Sequence, residues 1–595
     1  MQKSLLWRIN HAQTLAMTSE YLIENTTLFD GTGAQPVSPC WVWIKEGTIQ
    51  QIAESEIDVS PSCQRIDGRD KWLTPGFLDT HTHYDAELIV APSLSESVRH
   101  GVTTVLVGSC SLSMVCSDAE DAADIFTRVE TVPREKVLPI LHDHKHWHGP
   151  KQWVKFIRKQ PLGPNVVSLL GHSDLRTAVL GLMNATDPRY CPTDSEQRLM
   201  ESILNEALDA GFLGLSTMCL KWDKVDGDRA WSKSLPSTYA HWREITRFNH
   251  ILRARGRVHQ GAPNAANPLQ ILQYLRQTIG LWRKPLKTTL ISMLDLKGNK
   301  TVAPMAKLSA ALVNFFGGDF RWQLLPTPFA IYADGMDVVL FEEFGAGEMA
   351  LDLKDQLERN ALLKDQQYRR DFRRFYRDKL SPRVWQRDFA DAIILGCPDT
   401  SLVGQNFAAI AAKRHVHVVD LFLDLVVEYG RELRWFTVIG NHRPRQLARM
   451  LTNPHTLITF SDAGAHIRNM AFYNLPLRFL QRVYQAQLQN TPIMSVARAV
   501  HRLTKEQADW LNIDAGHIAV GKRADLVLLD PKGFEQDLCQ EHWGSMQGFD
   551  LQRMVNRNPG LVTHVMINGQ LAVENEHVSP HLGKRSGFGQ FLPAI

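Results

Sequence analysis

Short apolar runs that read as buried strands alternate with helical stretches through most of this 595-residue chain. Eight such runs are recognised by their length and by their bounding glycine or turn residues. They begin near residues 77, 101, 136, 165, 211, 256, 287 and 456. Repeated strand–helix units predict a parallel sheet, and eight units predict a TIM-like (β/α)8 barrel within an α/β fold.

Two further regions do not fit a plain barrel. The gap from about 298 to 455 is too long for a loop and predicts an inserted subdomain before the last barrel strand. Strand-like segments at both chain ends, with an Asn568-Gly569 hairpin signal, predict a small β-sandwich built from the two ends. The predicted domains are a loose N-terminal tail (1–18), the two sandwich parts (19–72 and 511–595, the latter with a tail) and the barrel (73–510).

Composition narrows the class of protein. The net charge of +3 gives no overall field that would attract nucleic acid or a membrane, so neither is predicted as a partner. Eight cysteines in so long a chain do not make a disulfide framework and fit a reducing, cytoplasmic setting. No apolar run approaches the roughly 20 residues that span a bilayer. The sequence does not decide between Met1 and Met17 as the start.

Residues capable of chemistry stand where the predicted strands end. In His81-Thr82-His83 the two imidazoles project from the same face of a strand and can reach one divalent metal ion. A barrel brings the carboxyl ends of its strands together, so distant residues would meet in one pocket. The candidates are His81, His83, Cys110, His172, His259 and Asp462.

Several of these residues also have a plain structural interpretation. Cys110 reads either as a thiolate ligand or as a small buried hydrophobe. His259 is a ligand or an ordinary strand histidine, and His172 is a ligand, a substrate contact or a core histidine. Asp462 ends an apolar strand, where an unpaired buried carboxylate would be costly, so a metal or another partner is expected.

A set of motifs resembles the amidohydrolase superfamily. These are residues 75–83 (PGFLDTHTH), 101–104 (GVTT), 461–462 (SD) and 521–526 (GKRADL). Residues 108–110 (GSC), 171–176 (GHSDLR) and 211–217 (GFLGLST) are similar to those of the N-acyl-D-amino-acid deacylases, or D-aminoacylases. The resemblance runs from about residue 20 to 575 and implies the barrel, the sandwich and the insertion described above.

The resemblance also implies roles for individual residues. His81, His83 and Asp462 match one metal position, Cys110 the bridging thiolate, and His259 a further histidine ligand. Another family histidine is absent, because Met293 and Leu294 follow Ile291-Ser292. We therefore predict one tightly bound Zn²⁺ and an incomplete second site. Asp462 would be general base and then acid, His172 or His466 would stabilise the oxyanion, and Arg468 would bind a substrate carboxylate.

The sequence thus predicts a zinc hydrolase that cleaves a linear amide bond in an N-acylated amino acid, for which the resemblance favours the D-configuration, or in a similar small molecule. Two alternatives remain open at this stage: a hydrolase of cyclic amides on the same fold, and a catalytically impaired barrel that acts as a binding or scaffold protein. The acyl group, side chain and stereochemistry of the substrate are not determined. Neither is the oligomeric state, although a homo-oligomer is compatible with the sequence.

Overall fold

The structure is a computed structural model that describes residues 20–264, 267–378 and 383–595. The predicted N-terminal tail, residues 1–18, lies outside the described residues. Two large sheets organise the described chain: a parallel sheet of eight strands and a mixed sheet of nine.

The eight-stranded sheet is the barrel, and its strands follow one another in chain order. Barrel strands 1 to 8 are Phe77–Asp79, Val102–Val107, Asn165–Gly171, Gly214–Met218, Val258–Ala262, Lys287–Leu290, Asp319–Leu324 and Thr456–Ile458. A parallel bridge between Thr82 and Ala463 joins the segments just beyond strands 1 and 8, where the two edges meet. Most strand residues are buried on both faces, which is why apolar runs mark them in the sequence.

The segment predicted as a strand near residue 136 is a helix, Arg134–His144. Its buried residues Val137, Ile140 and Leu141 recur at i, i+3 and i+4, which is helical spacing. That prediction was wrong because a short apolar run was read with the period of a strand.

The missing strand lies inside the predicted insertion. Barrel strand 7, Asp319–Leu324, alternates Phe320, Trp322 and Leu324 with polar residues and pairs in parallel with strands 6 and 8. Barrel strand 7 therefore lies within the range 298–455 that the sequence analysis assigned to the insertion. The inserted subdomain contains a three-stranded antiparallel sheet with the strands Phe329–Asp334, Ile393–Gly396 and Arg434–Gly440. Its α-helices are Gly345–Leu351, Gln356–Lys364, Gln366–Arg377, Phe407–Lys413 and Val418–Tyr429.

The nine-stranded sheet joins the two ends of the chain. Strand Trp72–Pro75 pairs antiparallel with Leu526–Leu529, so a strand from before the barrel lies beside one from after it. A separate hydrophobic core takes residues from both ends, among them Ile44, Leu73 and Leu528. The remaining strands of this sheet are Glu20–Leu28, Val37–Lys45, Thr48–Ala53, Gln64–Asp67, Val562–Ile567, Gln570–Glu574 and His577–Val578.

The predicted fold class is confirmed: a TIM-like barrel carries a small β-sandwich from both chain ends and an insertion before the last barrel strand. The exact domain boundaries stay predictions. A hairpin, Glu541–Met546 and Leu551–Asn556, forms a separate two-stranded sheet.

The other α-helices lie outside the insertion. They are Glu87–Val90, Ser95–Val98, Ala119–Glu130, Arg134–His144, Pro150–Ile157, His172–Leu180, Leu182–Ala185, Asp194–Asp209, Trp242–Arg255, Pro268–Thr278, Val302–Phe315, Pro444–Leu451, Leu475–Leu488, Val496–Leu503 and Lys505–Leu511. Within the described ranges, no helix has the length and apolar character needed to cross a bilayer.

Candidate metal centre and active site

His81 and His83 follow barrel strand 1 and are both buried. Their Nε2 atoms lie 3.2 Å apart, and the two rings meet edge-on at an interplanar angle of 64°. His81 Nδ1 lies 2.6 Å from Oε1 of Gln323 on barrel strand 7. Because a carboxamide oxygen only accepts hydrogen bonds, Nδ1 carries the proton and Nε2 keeps a free lone pair. The His81 ring is therefore held in the tautomer that binds a metal through Nε2.

Cys110 enters the same site from the turn after barrel strand 2. Its Sγ lies 3.3 Å from His81 Nε2, and ligand atoms of His81, His83 and Cys110 all lie within 4.8 Å of one another. The Cys110 amide donates to Oε1 of Gln260 at 3.1 Å. Cys110 has a left-handed backbone, with φ of 53°. Such strain costs on the order of 1–3 kcal/mol and is typical of functional sites.

Asp462 closes the group from the segment after barrel strand 8. Its Oδ1 lies 3.2 Å from His81 Nε2 and 3.6 Å from His83 Nε2. No group described in the structure donates a well-aligned hydrogen bond to that buried oxygen. A buried acceptor without a donor is costly, and a cation bound between the carboxylate and the imidazoles would satisfy it.

The protonation states of these side chains also fit a metal ion. Burial lowers the pKa of His81 to about 4 and that of His83 to about 3, which leaves both imidazoles neutral, as a metal requires. Burial, reinforced by neighbouring carboxylates, raises the pKa of the Cys110 thiol well above its usual range. A bound cation reverses that effect and favours the thiolate. The donor set therefore fits a divalent metal ion of the zinc type, with sulfur, nitrogen and carboxylate ligands.

A partly open cavity of about 330 Å³ adjoins the group, and His83, Cys110 and Asp462 line it. Most of its wall is apolar. The barrel and the segments after its strands contribute Met218, Ala262, Ile291, Leu294 and Phe460, and the insertion contributes Phe329, Ile331, Val339, Leu340, Val384 and Ile439. The insertion therefore completes the pocket beside the candidate metal centre.

Glu130 is a site residue that the sequence analysis did not identify. It ends the helix Ala119–Glu130, is 1% exposed and places Oε1 3.0 Å from His83 Nδ1. His466 Nε2 lies 3.9 Å from its other oxygen, and both residues line the cavity. Burial raises the pKa of Glu130 well above its usual range. A signal was available: Glu130 stands four residues after Phe126, on the apolar face of its helix.

His259 does not join the group. Gln260 contacts Cys110, and successive strand residues point to opposite faces, so His259 on barrel strand 5 turns outward. Its Nε2 lies 3.0 Å from Thr217 Oγ1, and its ring lies against Tyr274 of the outer helix layer. The prediction of His259 as a metal ligand is corrected accordingly, and Gln260 takes the inward position.

His172 faces the same outer layer. Its Nε2 donates to Glu244 at 2.7 Å, and its Nδ1 lies 3.4 Å from Thr217 Oγ1. Glu244 also accepts from Arg176, so the histidine is part of a buried polar network between sheet and helices. Among the described residues that line the cavity, His466 is present and His172 is not. The structure therefore does not support His172 as the group that stabilises an oxyanion.

Arg468 lies away from the cavity wall. Its guanidinium is hydrogen-bonded to Asp334 and stacks over the ring of Trp543 at 4.8 Å. Its side chain is already engaged, which corrects its predicted role in binding a substrate carboxylate. In the described chain the cavity is lined by one arginine, Arg383, which comes from the insertion.

A barrel with a His-x-His pair after strand 1 and an aspartate after strand 8 defines the class of the protein as an amidohydrolase. A profile of the Amidohydrolase family matches residues 444–572. An uncharacterised protein of Mycobacterium tuberculosis (strain ATCC 25618 / H37Rv) is 45% identical over 592 residues, covering 98% of this chain and 96% of that protein.

Characterised relatives are more distant. The N-acyl-D-aspartate deacylase of Alcaligenes xylosoxydans xylosoxydans is 31% identical over 199 residues, which cover 33% of this chain and 36% of that protein. The fold resembles the crystal structure of N-acyl-D-glutamate deacylase from Bordetella bronchiseptica, in complex with zinc and a phosphonate inhibitor. The TM-score is 0.60 at 20% identity, over 97% of this chain and 100% of that one.

The chain belongs to the amidohydrolase superfamily and is related to the D-aminoacylases. It is a hydrolase that acts on carbon–nitrogen bonds other than peptide bonds.

Proposed function

We propose that the protein is a zinc-dependent deacylase that hydrolyses the linear amide bond of an N-acylated, D-configured amino acid or a similar small molecule. The observation that carries the proposal is the convergence of His81, His83 and Cys110 on one point, with Asp462 Oδ1 3.2 Å from His81 Nε2, at the wall of a largely apolar cavity. Relatives named as deacylases of N-acyl-D-aspartate and N-acyl-D-glutamate support the choice of substrate class and configuration.

A zinc ion held by these residues would lower the pKa of a water molecule towards about 7 and polarise the amide carbonyl. Asp462 would accept a proton from that water molecule and would pass it to the nitrogen of the leaving amine, acting first as base and then as acid. Burial raises the pKa of Asp462, and a cation bound beside the carboxylate would act in the opposite direction.

His466 is the remaining candidate for stabilising the oxyanion. It lines the cavity, and burial lowers its pKa to about 4, so the ring is neutral and donates through a single N–H. Glu130 lies beside both His466 and His83, with carboxylate oxygens 3.9 Å and 3.0 Å from a ring nitrogen of each. Arg383 is the candidate for the substrate carboxylate, which it would hold by a bidentate pair.

The apolar wall supports an uncharged acyl group or side chain as the part of the substrate that fills the cavity. The cyclic-amide alternative is less well supported, because no lysine lines the cavity in the ranges that the structure describes. We retain one tightly bound zinc ion per chain, since Gln260 and Met293 stand where further ligands of a second ion would be needed. A cytoplasmic location stays a prediction.

Metal analysis together with a substrate screen tests the proposal. The purified protein should retain one equivalent of zinc after dialysis and hydrolyse N-acyl-D-amino acids faster than their L-isomers. An Arg383→Ala variant should raise KM with little change in kcat. Zinc-free protein that remains folded and inactive would support the scaffold alternative, and two retained equivalents would require a second site that the named ligands do not provide.

A further inference from the structure

The helices Pro268–Thr278 and Val302–Phe315 and the loop between barrel strand 6 and its preceding helix carry an unusual set of exposed apolar residues. Their exposed fractions reach 96% at Trp282 and 82% at Phe315. The members of this group, called here the apolar surface, are Leu269, Leu272, Leu281, Trp282, Met305, Leu308, Leu312, Phe315 and Phe316. So many large apolar side chains in one region mark an interaction site rather than ordinary surface.

The spacing of these residues places them on one side of the second helix. Met305, Leu308, Leu312 and Phe315 recur at intervals of three and four residues, which aligns them along a single face. The opposite face of the helix is buried through alanine and valine residues. A helix that is apolar on both faces normally has a partner on both.

The loop residues continue the same surface. A Cβ atom placed on Gly280 would lie 2.3 Å from the carbonyl oxygen of Gly317, so the loop abuts the end of the second helix. The loop that carries Trp282 therefore lies beside the segment that follows Phe315 and Phe316. The two helices also contact one another, so the apolar surface is formed by neighbouring elements of the fold.

The charges in the segment are of one sign. Residues 267–318 contain a single acidic residue, Asp295, which is buried and bonded to Arg443. Exposed basic residues stand among or beside the apolar ones: Arg276, Arg283, Lys284, Lys300 and Lys307. Exposed tryptophan, phenylalanine and leucine flanked by basic residues are typical of proteins that lie on an anionic membrane.

We propose that the apolar surface docks on an anionic phospholipid bilayer, with its apolar side chains inserted at the headgroup boundary and its basic residues against lipid phosphates. A second copy of the chain fits less well, because a two-fold interface would bring the same basic residues of two copies together without acidic partners. The near-neutral charge of the whole chain had argued against a membrane partner; the local distribution argues for one.

The position of this surface links it to the candidate active site. Val302, which lines the cavity, is the first residue of the helix that carries Met305 and Phe315. Met305 lies about 4.5 Å further along that helix, at about 1.5 Å per residue. The apolar surface therefore begins close to the cavity wall at Met305, and it extends to Phe315, about 20 Å from Val302 along the helix axis.

Sedimentation of the full-length, zinc-loaded protein with phospholipid vesicles tests the proposal. Binding is expected with vesicles that contain phosphatidylglycerol, at low salt, and much less with pure phosphatidylcholine. Replacing Arg283 and Lys284 by Gln should weaken binding on the order of 30-fold, at about fivefold per basic residue. Trp282→Ser combined with Phe315→Ser should also abolish sedimentation.

The matched control is Leu199→Ser combined with Leu488→Ser, because these residues are large, apolar and exposed on other helices. It should bind vesicles as the unmodified protein does. If the apolar-surface variant misfolds by circular dichroism, the Arg283 and Lys284 variant decides the question. Failure of the unmodified protein to bind anionic vesicles overturns the proposal. The proposal also fails if the Leu199 and Leu488 control loses vesicle binding as much as the Trp282 and Phe315 variant does. A dimer that dissociates on substitution of Trp282, without vesicle binding, would assign the surface to self-association instead.

Discussion

Gln323 offers a sharp test of how the metal centre is organised. Its Oε1 accepts a hydrogen bond from His81 Nδ1 at 2.6 Å, and both side chains are buried. This contact fixes the tautomer that leaves Nε2 free to bind a metal. Replacing Gln323 by Leu keeps the approximate volume but removes the acceptor. His81 could then place its proton on Nε2 and lose its function as a ligand.

We expect the Gln323→Leu variant to bind zinc 10- to 100-fold more weakly, the usual effect of losing such a supporting partner. That range corresponds to about 1.4–2.7 kcal/mol of binding free energy. Competition with a chelator of known affinity measures the zinc dissociation constant directly. The thermal stability of the zinc-free protein, recorded in parallel, separates a weaker site from a weaker fold.

Gln323→Glu is the matched control for this experiment. A carboxylate accepts hydrogen bonds but does not donate them, so it enforces the same His81 tautomer and increases the basicity of the ring. Its zinc affinity should equal or exceed that of the unmodified protein. If Leu and Glu at position 323 weaken zinc binding equally, the hydrogen bond to His81 does not control the site and the reasoning fails.

Three further predictions follow from the site and its surroundings. Asp462→Ala should lower kcat by about 10²–10⁴-fold through loss of the proton acceptor, and it should reduce the zinc content of the protein. The His259→Ala variant should keep its zinc. If the Asp462→Ala variant retained activity, Asp462 would be excluded as the base. Arg468→Ala should leave KM within about twofold, because this residue is bonded to Asp334 outside the cavity wall, and a large rise in KM in steady-state kinetics would restore its proposed role. For Glu244, burial alone would raise the pKa, but its histidine and arginine partners outweigh burial and lower the pKa below 4.5. The stability that it contributes is therefore complete above the unfolded pKa and is lost as pH falls through the lower folded value. Glu244→Gln should lower the free energy of unfolding by about 3–5 kcal/mol at neutral pH, measured by denaturant unfolding, and should reduce the loss of stability at acid pH. A dependence of stability on pH equal to that of the unmodified protein would contradict this.

The sequence by itself determined the class of fold and the centre of the site. The spacing of His81 and His83 requires that both imidazoles share a face once the segment is extended, whatever surrounds it. Repeated strand–helix units have few solutions other than a parallel barrel, and a barrel gathers its strand ends. Cys110 and Asp462 could be predicted at the same place because each directly follows an apolar run.

Tertiary structure decided which side of a buried strand each residue faces. All five residues of Val258–Ala262 are buried, so no alternation of polar and apolar residues distinguishes its two faces. A shift of one position separates His259, which packs against the helix layer, from Gln260, which reaches Cys110. Only the pairing of that strand with its neighbours fixes the choice.

Contacts between residues far apart in the chain were equally beyond the sequence. Glu130 reaches His83 from a helix, and Gln323 reaches His81 from a strand 242 residues away. Arg468 was a reasonable candidate for a substrate carboxylate until Asp334, on a strand of the insertion, was found to engage it. Motifs record which residue types the chemistry needs, whereas hydrogen bonds between distant elements decide which side chains remain free to perform it.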